Sequence, residues 1–242
     1  MIAPTRAGVL LALDTDDTAT ALGHAKRVGA SVAGIKLGLE FFCANGPEGV
    51  RQVASSRRPL FLDLKFHDIP ATVRGAVASA ARLKPFMMTV HASGGGAMMR
   101  AAATAAAEAA AKGGFTRPAL VAVTVLTSLS DDELATVGQN GPALDQVRRL
   151  AALAQAHGMD GVVCSPREAA VLRQDCGQGF LLVTPGVRPS TALAGDQRRV
   201  ATPGDAVRAG ANYLVIGRPI LAAPDPAAAA RAIAADIAAA LA

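Results

Sequence analysis

The chain has 242 residues, enough for one large or two small domains, and 51% of them are hydrophobic although only 3% are aromatic. The formal charge is +5, yet no dense lysine and arginine cluster is interleaved with aromatic residues, which argues against a nucleic-acid partner. The uncharged run 119–130 is too short to span a bilayer, so we expect no membrane partner. Cys43, Cys164 and Cys176 lack disulfide-framework or metal-ligand spacing, and we interpret them as buried small residues of a cytoplasmic protein.

Eight short apolar runs alternate with eight segments of helical character along the chain. The runs are rich in Val, Ile and Leu and too short for typical helices, so they predict strands. The predicted strands are 9–14, 33–38, 60–65, 87–92, 119–127, 161–165, 181–187 and 213–219. The predicted helices are 18–29, 47–56, 70–84, 96–112, 142–157, 166–174, 203–209 and 226–241. This alternation is typical of a parallel α/β barrel, and we expect residues 1–242 to form a single (β/α)8 TIM-barrel domain. A doubly wound open sheet is the alternative.

The third predicted strand carries charges within an apolar run. Residues 60–65 read L-F-L-D-L-K, which puts Asp63 and Lys65 on one face of the strand, about 6.6 Å apart. Asp68 follows three residues after Lys65, and Pro70 then suits the first position of a helix. Buried charges are costly unless they are paired, so the pattern predicts carboxylates that hold a charged lysine against a substrate. A structural salt-bridge ladder is the alternative.

Chemistry in a (β/α)8 barrel takes place at the carboxyl ends of the strands, and polar residues gather there in this sequence. Asp14 ends the first strand and Lys36 lies on the second. Arg188 follows the seventh strand, and Gly217 and Arg218 follow the eighth. Barrels often bind phosphate at these last two strands, and arginine presents a planar fork of donors, so we expect a phosphate site there. A surface ion pair is the alternative for either arginine alone.

The segment 189–198 has no clear period and is rich in small and polar residues. It predicts a lid that carries Gln197 to the ligand, with an ordinary loop as the alternative. His91 on the fourth strand could act as a base, but a lone histidine beside apolar residues is more often part of the core. The sequence contains no metal-ligand spacing, nucleophile elbow, Walker loop or dinucleotide fingerprint.

Several ordered blocks of the sequence resemble the orotidine 5′-phosphate decarboxylase family. The blocks are L-A-L-D at 11–14, D-L-K-F-H-D-I-P-A-T at 63–72, V-H-A-S-G-G at 90–95, V-T-V-L-T-S at 123–128, T-P-G-V-R at 184–188, G-D-Q-R-R at 195–199 and V-I-G-R-P at 215–219. The resemblance implies a homodimeric lyase that needs no cofactor and no metal. Such an enzyme converts orotidine 5′-phosphate to uridine 5′-phosphate (UMP) and CO2, the last step of de novo pyrimidine biosynthesis.

The resemblance also implies a role for each matching residue. Lys65 would protonate the pyrimidine carbanion within an alternating charged network that Lys36, Asp63 and Asp68 complete. Asp68 and Thr72 would reach the site of the second subunit. The implied substrate contacts are Asp14, Lys36 and Thr72 at the ribose, Asp63 near the substrate carboxylate, Thr127 and Ser128 at the pyrimidine, and Arg188, Gln197, Gly217 and Arg218 at the phosphate.

Two other functions remain open on the sequence. Related barrels that act on sugar phosphates share the D-x-K-x-x-D core and would normally need a divalent metal at the paired acids. The F-H-D-I-P continuation after D-L-K disfavours them. A barrel that binds a phosphorylated ligand without catalysing a reaction is the second alternative, although every charged position expected of the enzyme is filled.

Overall fold

The structure, a computed structural model, describes residues 7–139, 141–189 and 201–242. Eight parallel strands close into a barrel in sequence order. The strands are β1 Gly8–Ala12, β2 Gly34–Leu37, β3 Leu60–Phe66, β4 Met87–His91, β5 Ala119–Val123, β6 Gly161–Val163, β7 Leu181–Pro185 and β8 Tyr213–Ile216. β1 pairs with β8 in the register Leu10↔Val215, which closes the sheet. The predicted (β/α)8 barrel is therefore confirmed, and the open sheet is excluded.

Helices connect the strands around the outside of the barrel. They are α1 Thr18–Val28, α2 Leu39–Ala54, α3 Pro70–Ala81, α4 Gly95–Gly113, α5 Asp131–Thr136, α6 Ala143–Ala156, α7 Ala169–Cys176, α8 Pro203–Arg208, α9 Arg218–Leu221 and α10 Pro226–Leu241. Short 3₁₀ turns at Gly29–Ser31 and Ala92–Gly94 lead into β2 and α4. Among the described residues, no helix is long and apolar enough to cross a membrane.

The helix α2 begins at Leu39, eight residues before the predicted start. The dipeptide Gly46–Pro47 is typical of a helix start, because Pro47 has no N–H to donate to the preceding turn. Here two helical segments, 39–45 and 47–54, meet in a kink at Gly46, which adopts φ 58°, so the second segment starts at Pro47 as predicted and the first segment was missed. The Asn45 side-chain amide donates to the Phe41 carbonyl at 3.0 Å, within the first half of the helix. The first segment of the helix starts directly after β2, at Leu39.

Two short helices were absent from the predicted elements. α5 begins with a capping box in which Ser130 and Glu133 satisfy each other's backbone N–H groups. α9 lies where the eighth strand was predicted to continue, because Gly217 leaves the extended region at φ −116° and ψ −95° and Pro219 favours a helical start. Residues 124–127 likewise leave the sheet after β5 instead of extending it. These strand ends form loops at the carboxyl face of the barrel.

The core has two layers that follow from the alternation of side chains along each strand. Leu10 points into the barrel, whereas Leu11 packs outward against the helices. The interior cluster consists of Leu10, Phe61, Met87, Ala119, Val121, Leu181, Val183 and Tyr213. It fills the barrel and forms an apolar floor beneath the residues at the carboxyl ends of the strands.

The cysteines are free, and only two of the three are buried as predicted. Cys164 lies fully inside the protein, and desolvation raises the pKa of its thiol to about 12. Burial also raises the pKa of Cys176. Cys43 is exposed on α2, so its prediction as a buried residue was wrong. The helix has buried residues at positions 41, 49, 50 and 53, and Cys43 lies off that face.

Candidate active site

The strand β3 places Asp63 inside the barrel above its apolar floor. Phe61 is 1% exposed within the interior cluster, and Asp63 follows it by two positions on the same face. On the neighbouring strand, Lys36 is in register with Phe61. Lys36 and Asp63 are each only 8% exposed. Two opposite charges therefore enter the low-dielectric interior together.

Four side chains form a row of alternating charge across the barrel mouth. The Lys36 Nζ atom lies 3.3 Å from Asp14 Oδ1 and 3.6 Å from Asp63 Oδ2. The Lys65 Nζ atom lies 2.9 Å from the same Asp63 oxygen. A buried ion costs several kcal/mol after relaxation, whereas an opposite charge 4 Å away returns about 4 kcal/mol at an effective dielectric constant of 20. Each buried charge thus needs its neighbours.

The backbone at Lys65 departs from the regular strand that the sequence predicted. Lys65 has φ 50°, in the left-handed region that costs a non-glycine residue about 1–2 kcal/mol. The register with β4 shifts between Leu62↔Met88 and Phe66↔Val90, so three residues of β3 lie opposite one residue of β4. Asp63 and Lys65 consequently meet in an ion pair instead of standing side by side on a flat strand. The Lys65 side chain is 31% exposed and opens toward the barrel mouth.

Thr89 is the β4 residue opposite this bulge. It is completely buried, and its hydroxyl oxygen accepts the Lys65 N–H at 2.8 Å. The same hydroxyl donates to Asp63 Oδ1 at 3.0 Å. Thr89 was not among the site residues predicted from the sequence. The available signal was a polar residue within the apolar run M-M-T-V of β4.

A cavity of about 640 Å³ opens above the charged row. Its floor and walls are mainly apolar and include Phe61, Val123 and Val183. Its polar lining consists of Asp14, Lys36, Asp63, Lys65, Thr127, Arg188, Gly217 and Arg218. Residues predicted from six different strand ends are therefore brought to one cavity, whose volume suits a small ligand.

The end of the cavity beside β7 and β8 holds two arginines. Arg188 and Arg218 both line it. The backbone N–H of Arg188 donates to the Ala201 carbonyl at 3.3 Å. A side chain at Gly217 would place its Cβ 3.3 Å from the Ala12 Cβ and carbonyl oxygen. The glycine thus allows the β8–α9 turn to pass close to β1, and it leaves backbone exposed to the cavity.

Three predicted site residues do not line this cavity. Asp68, Thr72 and Ser128 are exposed on its periphery. Asp68 Oδ1 accepts the Ile69 N–H at 2.6 Å, and no ion pair of Asp68 occurs among the residues that the structure describes. Residues 190–200 lie outside the described part of the chain. Gln197 and all of the predicted lid after Pro189 belong to that segment.

Two histidines lie beside the charged row. The rings of His67 and His91 stack with centroids 5.4 Å apart. Burial lowers the pKa of His91, and electrostatic interactions with His67 and Lys65 lower it further, whereas Asp63 raises it. His91 is partly exposed at the end of β4 and is not a core residue, contrary to the prediction. Across the described part of the chain, no group of three or more His, Cys, Asp or Glu side chains could hold a metal ion.

The closed barrel and the alternating acid–lysine row at its mouth define a (β/α)8-barrel enzyme. Residues 8–233 match the orotidine 5′-phosphate decarboxylase / HUMPS family. The chain therefore belongs to that family. The family includes the HUMPS group beside the decarboxylases, so membership in it does not fix the substrate.

Individual relatives extend over nearly the whole chain. An orotidine 5′-phosphate decarboxylase of Rhodospirillum rubrum is 55% identical, covering 96% of this chain and 95% of the relative. One from Paramagnetospirillum magneticum is 53% identical, covering 95% of this chain and 97% of the relative. Among solved structures, the crystal structure of orotidine 5′-phosphate decarboxylase from Lactobacillus acidophilus is similar with a TM-score of 0.85 and 36% identity, covering 96% of this chain and 99% of that one.

Proposed function

We propose that this protein decarboxylates orotidine 5′-phosphate to UMP and CO2 in pyrimidine biosynthesis. The bond from ring carbon C6 to the carboxylate breaks, and its electron pair stays on C6. The Lys65 ammonium group then gives a proton to C6, and the neutral lysine regains a proton from water. Two relatives above 50% identity that bear this enzyme's name support the substrate.

The observation that carries the mechanism is the 2.9 Å ion pair between Lys65 and Asp63 at the cavity wall. A carbanion on a pyrimidine ring is poorly stabilised, so a cation held beside it lowers the barrier before it becomes the proton donor. Asp63 is itself held by Lys36, which is buried and cannot move away cheaply. The ammonium group of Lys65 is thus fixed in place before the substrate enters.

The remaining cavity residues would each contact a different part of the substrate. Arg188, Arg218 and the backbone at Gly217 would bind the phosphate, because arginine pairs with phosphate through parallel hydrogen bonds. Asp14 and Lys36 would contact the ribose, and Thr127 the pyrimidine. Gln197 and Ser128 are proposed as further contacts that the described cavity does not include. Binding energy gained at the phosphate would orient the ring against Lys65.

We further propose that two subunits share each site. Asp68 and Thr72 are exposed and do not line the cavity of their own subunit, and Ile69 between them is 66% exposed. A single exposed apolar residue is ordinary on a protein surface, so the proposal rests on the exposure of Asp68 and Thr72 and on their match to the family pattern. In a homodimer, Asp68 of one subunit would extend the row of alternating charge in the site of the other subunit, where it would lie next to the partner's Lys65.

The test is a decarboxylation assay with purified protein and orotidine 5′-phosphate, with and without EDTA. We expect CO2 and UMP at the same rate in both samples. No turnover by a folded sample would contradict the proposal. A reaction with pentulose or hexulose phosphates that EDTA abolishes would support the sugar-phosphate enzymes of the same barrel group. Tight UMP binding without turnover would support a protein that only binds its ligand.

A further inference from the structure

Thr89 occupies a place that a backbone group normally fills. In a regular parallel ladder, the N–H of a residue such as Lys65 would donate to a carbonyl of the neighbouring strand. The bulge in β3 leaves only Thr89 opposite residues 63–65. Its side-chain oxygen accepts the Lys65 N–H at 2.8 Å instead. The hydroxyl thus stabilises the backbone of Lys65 at φ 50°.

The direction of the two hydrogen bonds is fixed by their partners. A backbone N–H can only donate, so the Thr89 oxygen is the acceptor toward Lys65. The single hydroxyl proton is then free to point at Asp63 Oδ1, 3.0 Å away. Asp63 therefore accepts a hydrogen bond from the Thr89 hydroxyl on Oδ1 and forms ion pairs with Lys36 and Lys65 through Oδ2. Hydrogen bonds in such a chain strengthen one another.

We propose that Thr89 is a positioning residue that aligns Asp63 and Lys65 for proton transfer. It does not line the cavity, and it acts through the two residues that do. One buried hydroxyl sets both the rotamer of the Asp63 carboxylate and the backbone from which the Lys65 side chain extends. The expected effect of Thr89 on catalysis rests on the proposed decarboxylase function.

The test compares Thr89→Val, which keeps the shape and removes the hydroxyl, with Thr89→Ser, which keeps the hydroxyl. The matched control is Thr184→Val. Thr184 is also completely buried on a barrel strand, but its hydroxyl faces Cys164 Sγ at 3.9 Å and does not reach the charged row. The readouts are kcat, the UMP dissociation constant and the thermal midpoint of each variant.

We expect Thr89→Val to lower kcat by about 10- to 100-fold, the scale of a small misplacement of a catalytic group. Its dissociation constant for UMP should stay within about twofold, because uniform binding is not affected. Thr89→Ser should recover most of kcat, and Thr184→Val should keep it. A kcat of Thr89→Val close to that of the wild type, or a loss that Thr89→Ser shares, would overturn the proposal.

A crystal structure of Thr89→Val gives a result that does not depend on turnover. We expect the 2.9 Å contact between Lys65 Nζ and Asp63 Oδ2 to be lost or the φ of Lys65 to change. An unchanged arrangement would overturn the positioning role even if the wild-type protein has no decarboxylase activity. Inactivity of the wild type together with a rearranged Thr89→Val site would contradict the proposed function but support the positioning role. If Thr89→Val does not fold, Thr89→Ala takes its place in both measurements.

Discussion

At the residue scale, Asp63 is the centre of the candidate site. It holds two ammonium groups on one oxygen and the Thr89 hydroxyl on the other. The identities of Asp63, Lys36 and Lys65 could be predicted from the sequence, because charges that interrupt apolar strands need partners. The role of Thr89 could not, since it depends on a bulge and a left-handed backbone that no residue type near Lys65 specifies.

Arg218 tests the phosphate end of the cavity. Arg218→Ala removes charge-assisted hydrogen bonds worth about 1.5–3 kcal/mol, so KM for orotidine 5′-phosphate should rise about 10- to 150-fold. Reactivity toward orotidine, which lacks the phosphate, should not change. Steady-state kinetics with both substrates measure the difference.

The control for this prediction is Arg231→Ala. Arg231 is an exposed arginine of α10, and its ion pair with Asp225 is 4.0 Å long. It should leave both substrates unaffected, because surface ion pairs contribute little. An Arg218→Ala enzyme with the wild-type KM for orotidine 5′-phosphate would remove Arg218 from the phosphate site.

At the element scale, the order of strands and helices was predictable and several boundaries were not. Near-continuous apolar runs identify the eight strands, because each strand must be buried on both faces of a parallel barrel. Pro47 begins the second segment of α2 as predicted, but the first segment was missed, because Gly46 and Pro47 indicate a helix start equally well as a kink. The strands were predicted too long after β5 and β8, where the chain continues into a loop and into α9, and residues of both line the cavity.

The kink in α2 can be tested with two glycine substitutions. Gly46→Ala should lower the free energy of unfolding by about 1–2 kcal/mol, because alanine at φ 58° is strained. No atom lies within 4 Å of the added Cβ, so a clash with neighbouring atoms is not the cause. Urea denaturation measures the change.

The matched control is Gly23→Ala in the middle of α1, where the added Cβ also meets nothing within 4 Å. Gly23 carries no left-handed φ, so alanine should raise the free energy of unfolding by about 0.5–1 kcal/mol. If both substitutions stabilise the protein, the kink at Gly46 is not a fixed feature of the fold.

At the scale of the whole molecule, one barrel carries the apolar floor, the charged row and the two arginines. Asp68 and Thr72, together with Ser128, are the described parts of the family pattern that lie outside the cavity of a single subunit. The sequence places Asp68 and Thr72 close to Lys65 along the chain, but only the structure shows that they do not line the cavity. The proposed dimer accounts for them.

Mixed dimers test whether Asp68 serves the partner's site. Lys65→Ala and Asp68→Ala subunits should each be nearly inactive as homodimers. A verified mixed dimer has one site with the Lys65 of one subunit and the Asp68 of the other, so about half of the wild-type sites should work. The decarboxylation rate of doubly tagged, purified mixed dimers is the measurement. No recovery of activity in them would contradict the shared site.

The rate of CO2 release from orotidine 5′-phosphate by Lys65→Ala tests the central claim most directly. The control is Lys112→Ala, which removes an exposed lysine of α4 far from the charged row. We predict wild-type rates for Lys112→Ala and a loss of at least about 100-fold for Lys65→Ala, the contribution of a positioned acid, with the fold retained by circular dichroism. A folded Lys65→Ala enzyme that releases CO2 at a rate near that of Lys112→Ala would contradict the role of Lys65 as the proton donor.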